Sequence, residues 1–283
     1  MDSEDINDLY DSTAFDYEFF WSNDTMHYGF DSYINSTAIE NSNQHYQDRL
    51  DISPEDKVLV VGCGKGGFSN FLAENTDAEI YGLDLNNRHI RKARKMSRNK
   101  GTEDSTEFLQ GDFHNLPFDS ESFDSIAAIE TVSHSDSKED FLKEAYRVLN
   151  DEGNILVSDG WLTGETYDLE NPEVQDYSLK DQKQIEDVLE GWALPEGRNY
   201  EEFEEMMRDT GFTEIDMVDH WDRIKPSAEK MRALGLIGVP MMKAAKKLGL
   251  RNEWSVKQAR TLRSQYPVFK EDKGIHADFL AEK

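Results

Sequence analysis

The stretch KVLVVGCGKGGFSNF, residues 57–71, decides the fold class of this 283-residue chain. Residues 57–61 have the valine-rich composition of a buried strand, and four glycines follow within the next six residues. Helical spacing of apolar residues then begins at Phe68. A strand that passes through a glycine-rich turn into a helix presents free N–H groups to a ligand. The stretch therefore predicts a ligand site at the carboxyl end of a parallel strand.

The segments that follow alternate between strand-like and helix-like patterns, which predicts a parallel sheet with crossover helices. Two further strand patterns appear near the end of the chain, so the sheet should have seven strands and a Rossmann-like α/β architecture. The other predicted strands are 79–83, 107–110, 123–129, 154–158, 213–221 and 274–282, and the clearest helices are 68–74, 88–100, 140–149 and 200–210.

Two segments depart from this alternation and predict helical additions to the sheet. Residues 161–198 are polar and acidic, and residues 224–264 form a long helical pattern with an expected break near Pro240. The predicted organisation is an N-terminal helical cap at 1–53, a ligand-binding core at 54–160, a helical insertion at 161–198, a core continuation at 199–223, a helical lid at 224–268 and a last core strand at 269–283.

The charge of the chain is strongly negative. It has 58 Asp and Glu against 31 Lys and Arg, a formal net charge of −27. Such a field repels nucleic acid and anionic membrane surfaces at long range, which argues against a nucleic-acid partner. It also destabilises the fold by self-repulsion unless salt screens it. We therefore expect a host with high intracellular salt, with an ordinary acidic cytosolic protein as the alternative.

The composition also indicates the compartment. The single cysteine, Cys63, cannot form an internal disulfide. No stretch of about 18 apolar residues exists, and the acidic beginning MDSEDINDLYD lacks the apolar segment of a secretory signal. A cytoplasmic location is expected. No His or Cys residues have metal-ligand spacing, so no metal is expected.

Residues 225–251 break the acidic pattern, with seven Lys or Arg and one acid, Glu229. The same residues are rich in Leu, Met, Ile and Val. This combination favours a lid over a hydrophobic acceptor, with lysines close to an anionic head group or a membrane surface. Packing on the domain or an oligomer interface would explain it equally well, and the oligomeric state stays open.

Acidic residues after successive strands are candidates for nucleotide binding. Asp84 ends the second predicted strand, 20 residues after Gly64, where a carboxylate can accept hydrogen bonds from ribose hydroxyls. Asp112 after the third strand could hold an exocyclic amine, and Phe113 could pack near a base. The spacing of Gly62, Gly64 and Gly67 also fits a nicotinamide dinucleotide site.

The block GDFHNLPFDSESFDSIAAIE at 111–130, followed by EAYRVLNDEGNILVSD at 144–159, resembles the class I S-adenosylmethionine-dependent methyltransferases. The resemblance implies S-adenosyl-L-methionine as cofactor and S-adenosyl-L-homocysteine as product. One position departs from the family pattern, because Val60 stands where an Asp is usual. The implied cofactor-binding residues are Tyr17, Gly62, Cys63, Gly64, Gly66, Asp84, Leu85, Asp112, Phe113 and Glu130.

The N-terminal residues narrow the resemblance. The segments 10–12 and 26–30, together with Trp21, are similar to the tocopherol and sterol group of C-methyltransferases, in which the N-terminal segment folds over the cofactor. This implies a small hydrophobic, prenyl or lipid-like acceptor and C-methylation. The residues implied to act at the methyl-transfer site are Glu130, His134, His27 and Tyr28.

Two other functions compete with this interpretation. An N-methyltransferase of a glycine or sarcosine-type amine, in betaine synthesis, has a similar opening, matched here by Trp21, His27 and Gly29. The acidic composition suits an osmolyte-producing enzyme, whereas the apolar lid suits so small and polar an acceptor poorly. A non-catalytic relative that kept only the fold is the third hypothesis, supported by Val60 alone.

Overall fold

The computed structural model describes residues 27–33, 35–169 and 177–283. Most of the predicted N-terminal cap, including Tyr17 and Trp21, lies outside the described residues, as does part of the predicted insertion at 161–198.

A seven-stranded sheet forms the centre of the molecule, and the predicted Rossmann-like architecture is confirmed. Its spatial order is β3-β2-β1-β4-β5-β9-β8, with β9 antiparallel to both of its neighbours. The chain builds the sheet outward from β1 to β3 on one side and then continues from β4 on the other side. Between β1 and β4, where the direction of building reverses, α/β sheets form a crevice that binds ligands. The strands are β1 Lys57–Val61, β2 Glu79–Asp84, β3 Thr106–Gln110, β4 Phe123–Ile129, β5 Leu149–Leu162, β8 Thr213–Asp219 and β9 Gly274–Glu282.

Eight helices cover the sheet in the described part of the chain. Polar side chains begin several of them; Asn86, for example, accepts the Arg88 N–H, and Ser137 accepts the Asp140 N–H. The helices are α1 Ser36–Leu50, α2 Gly67–Asn75, α3 Asn87–Lys100, α4 Lys138–Val148, α5 Leu179–Trp192, α6 Tyr200–Thr210, α7 Trp221–Lys247 and α8 Glu253–Lys270.

The hydrophobic core lies on both faces of the sheet. Strand β1 is buried after its first residue because helices cover it on both sides, as parallel strands require. One core layer includes Tyr46, Leu72 and Ile80, and the other includes Phe141 and Phe279. Val60 lies in the first layer, with 3% of its surface exposed. A buried valine fits this position without any charged partner.

The insertion between β5 and β8 is closed by a short second sheet, in which β6 Tyr167–Asp168 pairs with β7 Glu196–Gly197. Helix α5 lies between these two strands in the chain and packs against α8. The segment predicted as a helical insertion therefore also contains a small two-stranded antiparallel sheet, which its sequence did not indicate.

The predicted helix break near Pro240 is wrong. Helix α7 continues through Pro240, and the chain instead breaks after Lys247, where Gly249 has φ +70°. Pro240 has no backbone N–H, so the carbonyl of Leu236 lacks its usual helical hydrogen bond. Leu236 and Pro240 are both exposed, so water can satisfy that carbonyl and the helix tolerates the proline.

Helices α7 and α8, separated by residues 248–252, lie where the helical lid is predicted at 224–268 and extend slightly beyond it at both ends. They pack closely because Gly235 faces α8: a Cβ built there would lie 2.4 Å from the backbone nitrogen of Arg263. None of the described helices is long and apolar enough to cross a membrane.

Candidate functional site

The glycine loop follows β1 as predicted. Gly62, Gly64 and Gly66 have φ values of +60°, +54° and +85°, which other residues rarely adopt. A Cβ on Gly62 would lie 1.9 Å from Thr131 Oγ1, so this glycine brings the loop against the residue that follows Glu130. The loop leads directly into α2, whose first N–H groups point away from the helix.

Asp84 holds the glycine loop from the end of β2. Its Oδ2 accepts the Gly64 N–H at 2.9 Å, and its Oδ1 accepts the Asn86 N–H at 2.8 Å and lies 3.2 Å from His89 Nδ1. A carboxylate oxygen has two lone pairs, so Oδ2 keeps one for a further donor. The carboxylate thus positions the loop and can still accept a hydroxyl.

The other predicted cofactor residues border the same edge of the sheet. Asp112 Oδ1 accepts the His114 N–H at 2.9 Å, and its side chain is 54% exposed. The ring of Phe113 contacts those of His114 and Phe141, and the carbonyl of Leu85 accepts a hydrogen bond from Gln110. Asp112 is therefore accessible to a ligand from solvent.

Cys63 lies within the glycine loop but does not behave as a nucleophile. Its thiol is buried, and burial, followed by the nearby Asp84 charge, raises its pKa well above the ordinary value. Because the reactive form of cysteine is the thiolate, this side chain is inert.

A cavity opens at the carboxyl ends of β4 and β5. It encloses about 920 Å³ of space, part of it open to solvent. Polar groups lie on the β4 and β5 side, and the opposite wall is apolar. The apolar wall comes from α5 and α8, namely Ile185, Val188, Leu189, Trp192, Val268 and Phe269.

Glu130 lies at the polar side of this cavity with φ +48°, immediately after β4. Its Oε1 accepts the Tyr28 backbone N–H at 2.7 Å and the His276 Nε2–H at 3.1 Å. Its Oε2 has no hydrogen-bond partner within the described ranges. Glu130 can therefore accept a proton or stabilise a cation in the cavity.

Two further predicted residues also line the cavity. Tyr28 packs edge-on against His276 at 5.4 Å between ring centroids, and burial, with Glu130 beside it, raises its phenol pKa well above 10. Burial lowers the pKa of His134 to about 4, so its imidazole is neutral at physiological pH.

His27, by contrast, is not among the described residues that line the cavity. Its ring nitrogens lie 3.0 Å from the Tyr28 carbonyl and 3.0 Å from Asn43 Oδ1, on helix α1. The structure therefore places His27 as a support for the Tyr28 backbone.

Sequence reasoning missed His276 and Asp159. Asp159 lies in β5, accepts the Ser133 and Gly160 N–H groups, and has its pKa raised by burial. His276 belongs to β9, the last strand. The alternation in GIHADFLAE gave no signal for His276, because the apolar residues 275, 277, 279 and 281 form one face and His276 lies on the other, which is buried as well.

A second polar cluster lies behind His276. Asp278 Oδ2 lies 2.8 Å from His45 Nε2 and 2.7 Å from His220 Nε2, and Asp278 Oδ1 accepts a hydrogen bond from Arg49. The ligand atoms of His45, His220 and Asp278 are within 4.8 Å of one another, a set that could hold a metal ion. The expected absence of a metal therefore stays a prediction, and the Arg49 cation already neutralises part of the carboxylate charge.

Comparisons with known proteins agree with this architecture. The sequence profile of a methyltransferase domain matches residues 52–224. A 24-methylenesterol C-methyltransferase 2 from Arabidopsis thaliana is 32% identical over 182 residues, which cover 64% of this chain and 47% of that protein. The chain thus spans about half the length of such curated relatives.

Two solved structures show the same fold. The geranyl diphosphate C-methyltransferase of Streptomyces coelicolor, solved with its substrate and S-adenosyl-L-homocysteine, has a TM-score of 0.69 at 15% identity, covering 99% of this chain and 97% of that one. A phosphoethanolamine N-methyltransferase 2 of Haemonchus contortus, solved with S-adenosyl-L-methionine, has a TM-score of 0.69 at 17% identity, covering 98% and 60%. The fold alone therefore does not choose between carbon and nitrogen as the methylated atom.

Proposed function

Because the chain belongs to the methyltransferase-domain family, we propose that it methylates a carbon atom of a small lipid-like or prenyl-containing acceptor, with S-adenosyl-L-methionine as donor and S-adenosyl-L-homocysteine as product. One observation carries the proposal: the glycine loop held by Asp84 lies beside a cavity that joins a polar side, where Glu130 has a carboxylate oxygen available, to a broad apolar wall.

The residues present fit the cofactor. The positive φ values of the loop, the spare lone pair of Asp84 Oδ2 and the exposed carboxylate of Asp112 offer backbone, hydroxyl and amine contacts along one sheet edge. The remaining predicted contacts are Leu85, Phe113 and, outside the described residues, Tyr17. The sulfonium supplies an activated methyl group, so the protein has to align the acceptor and exclude water.

The apolar wall supports a hydrophobic acceptor. Binding sites for small molecules are usually mostly apolar, with a few polar groups that fix orientation. The cavity has this distribution of side chains. Trp192 and Phe269 would bury most of a prenyl or sterol-like chain, and water would be excluded from its reacting end.

Methylation at an electron-rich carbon leaves a positive charge on the acceptor and a proton to be removed. Glu130 is placed for both roles, because Oε2 is available while Oε1 is held by Tyr28 and His276. The neutral His134 at the same cavity can accept a hydrogen bond but carries no charge that would oppose the cation.

An N-methyltransferase of a glycine or sarcosine-type amine is the second candidate. Three carboxylates line the cavity, and Glu196 already pairs with Lys138 and Arg198. The other two, Glu130 and Asp159, favour this candidate because they would attract an ammonium group. The apolar wall opposes it, since a small zwitterion would leave that wall in contact with water.

The setting that we propose is a cytoplasm rich in salt, with no nucleic-acid partner and no resident metal. The net charge of −27 and the single cysteine support this setting.

The proposal is tested first by isothermal titration of the protein with S-adenosyl-L-methionine and S-adenosyl-L-homocysteine in molar KCl. Asp84→Ala should abolish binding, since it releases the loop and removes the hydroxyl acceptor, whereas Asp77→Ala, an exposed acid before the opposite end of β2, should leave binding unchanged. If the wild-type protein binds neither compound, the chain is a non-catalytic relative.

Methyl transfer is then measured with radiolabelled donor and a panel of acceptors. Prenyl diphosphates and sterols should be methylated, with the label bound to carbon. Transfer to glycine or sarcosine and to no prenyl or sterol acceptor would establish the second candidate instead.

A further inference from the structure

The outer face of α7 exposes large apolar side chains. Leu236, Ile237 and Met241 are 55%, 64% and 58% exposed, and Leu248 and Leu250 just beyond the helix are 74% and 66% exposed. Residues three or four positions apart on a helix share a face. Ala233, Pro240 and Ala244, all exposed, fill the spaces between them. The result is a continuous apolar stripe, which we call the α7 stripe.

The charge around the α7 stripe is opposite to that of the rest of the protein. Between Glu229 and Glu253 there is no acidic residue, whereas the whole chain has 58 acids in 283 residues. The stripe is therefore bordered by cations and sits in the one long basic segment of the lid. The cations are Lys230, Arg232, Lys243, Lys246, Lys247 and Arg251.

The inner face of α7 reaches the cavity wall. Met231 Sδ accepts a hydrogen bond from Gln265 Nε2 at 2.9 Å, and Gln265 lines the cavity. Helix α8, which carries Gln265, also supplies Val268 and Phe269 to the apolar wall. One helix pair therefore separates the exposed stripe from the place where a hydrophobic acceptor would bind.

We propose that the α7 stripe docks on the surface of an anionic lipid bilayer, with α7 lying parallel to the bilayer plane. Apolar side chains with a basic border are the pattern of helices that lie in the lipid interface. The basic residues would contact the lipid phosphates directly, so that their attraction persists even with the Debye length of about 3 Å at 1 M salt. Docking itself does not depend on the proposed function. Only its purpose does, which is to bring a membrane-resident acceptor to the cavity.

The test is flotation of the full chain with vesicles of phosphatidylglycerol and phosphatidylcholine that contain neither acceptor nor cofactor. The protein should float with the vesicles. The triple variant Leu236→Ser, Ile237→Ser, Met241→Ser should lose about tenfold or more of the binding, because the buried apolar area is removed. Leu179→Ser, at an 85% exposed leucine on α5, is the matched control and should bind as the wild type does.

A charge-reversal variant tests the role of the basic residues beside the α7 stripe. Lys243→Glu with Lys247→Glu should weaken binding to anionic vesicles more than to pure phosphatidylcholine vesicles. Equal flotation of the wild type and the triple variant would overturn the proposal. The proposal would also be overturned if the wild type does not float and instead forms a dimer in analytical ultracentrifugation that the triple variant does not form. A second copy of the chain would then cover the α7 stripe. Because no methyl transfer is measured, failure here is distinct from failure of the proposed activity.

Discussion

The Nε2–H of His276 donates to Oε1 of Glu130 at 3.1 Å, across 146 residues of sequence. Both side chains line the cavity, and Tyr28 donates its backbone N–H to the same carboxylate oxygen. The last strand of the sheet and the N-terminal segment therefore fix one acidic group together. This arrangement holds the carboxylate in one orientation, and its Oε2 has no hydrogen-bond partner among the described residues.

Glu130→Gln should reduce methyl transfer strongly while cofactor binding persists. The amide oxygen can still accept the Tyr28 N–H, but the group can no longer take a proton or stabilise a cation, a role worth about 100-fold or more in rate. Single-turnover transfer and isothermal titration on one preparation separate the two effects. Glu186→Gln, whose carboxylate instead accepts the Tyr167 hydroxyl outside the cavity, should retain full activity.

Asp278→Ala should destabilise the protein far more than Asp216→Ala, although both carboxylates pair with Arg49. Asp278 is fully buried, and its removal leaves the Arg49 and histidine donors without their acceptor, which costs about 3–5 kcal/mol. Asp216 is 63% exposed, so its loss should cost less than about 1 kcal/mol. Urea unfolding at neutral pH gives both values, and equal losses would contradict the buried network.

His134 should make stability fall as the pH falls from about 6.5 to about 4. Burial in the folded state lowers the His134 pKa to about 4. Between these pH values the unfolded state therefore binds more protons than the folded state, and the free energy of unfolding decreases as the pH falls. The difference corresponds to at most about 3 kcal/mol. Urea unfolding at both ends of the window should show a smaller change for His134→Gln than for the wild type. An identical change in the two proteins would show that His134 does not titrate in this way.

Gly235→Ala and Gly238→Ala should have opposite effects within one helix. A Cβ at Gly235 would meet the Arg263 backbone nitrogen at 2.4 Å, so α7 and α8 would have to separate. A Cβ at Gly238 would lie 3.5 Å from Ala259 Cβ, an ordinary contact, and alanine raises helix propensity by up to about 1 kcal/mol. Thermal unfolding should show a lower midpoint for the first variant and an equal or higher one for the second.

Salt should raise the thermal midpoint steeply. The net charge of −27 repels itself, and the Debye length falls to about 3 Å at 1 M salt, which removes most of this repulsion. Differential scanning calorimetry from low to molar KCl measures the effect, with glycerol at matched concentrations as the uncharged control. A midpoint that does not change with KCl would remove the support for a salt-rich host.

The local sequence was enough for the sheet. Short apolar runs and the glycine loop at 62–67 correctly located strands β1–β5, and the alternating pattern of residues 274–282 correctly placed β9. The bounds were less exact, because β5 extends over 149–162 beyond the predicted 154–158, and the strand predicted at 213–221 ends at residue 219. These patterns succeed because a strand buried on one or both faces has a periodic burial that its own residues display. The prediction at Pro240 was wrong because it considered only the local sequence. A proline usually interrupts a helix, but the sequence does not show that the carbonyl freed by Pro240 is exposed to water.

The sequence by itself determined the seven-stranded α/β fold, the loop at Gly62–Gly67 and the acid that ends β2, since each depends on residues close together in the chain. Only the tertiary structure decided which side chains meet in the cavity. The His276–Glu130 pair, the Asp278 cluster with His45 and His220, and the wall from α5 and α8 all join distant segments. Their contacts follow from the order of strands in the sheet and from how the lid helices pack on it, which no local pattern encodes.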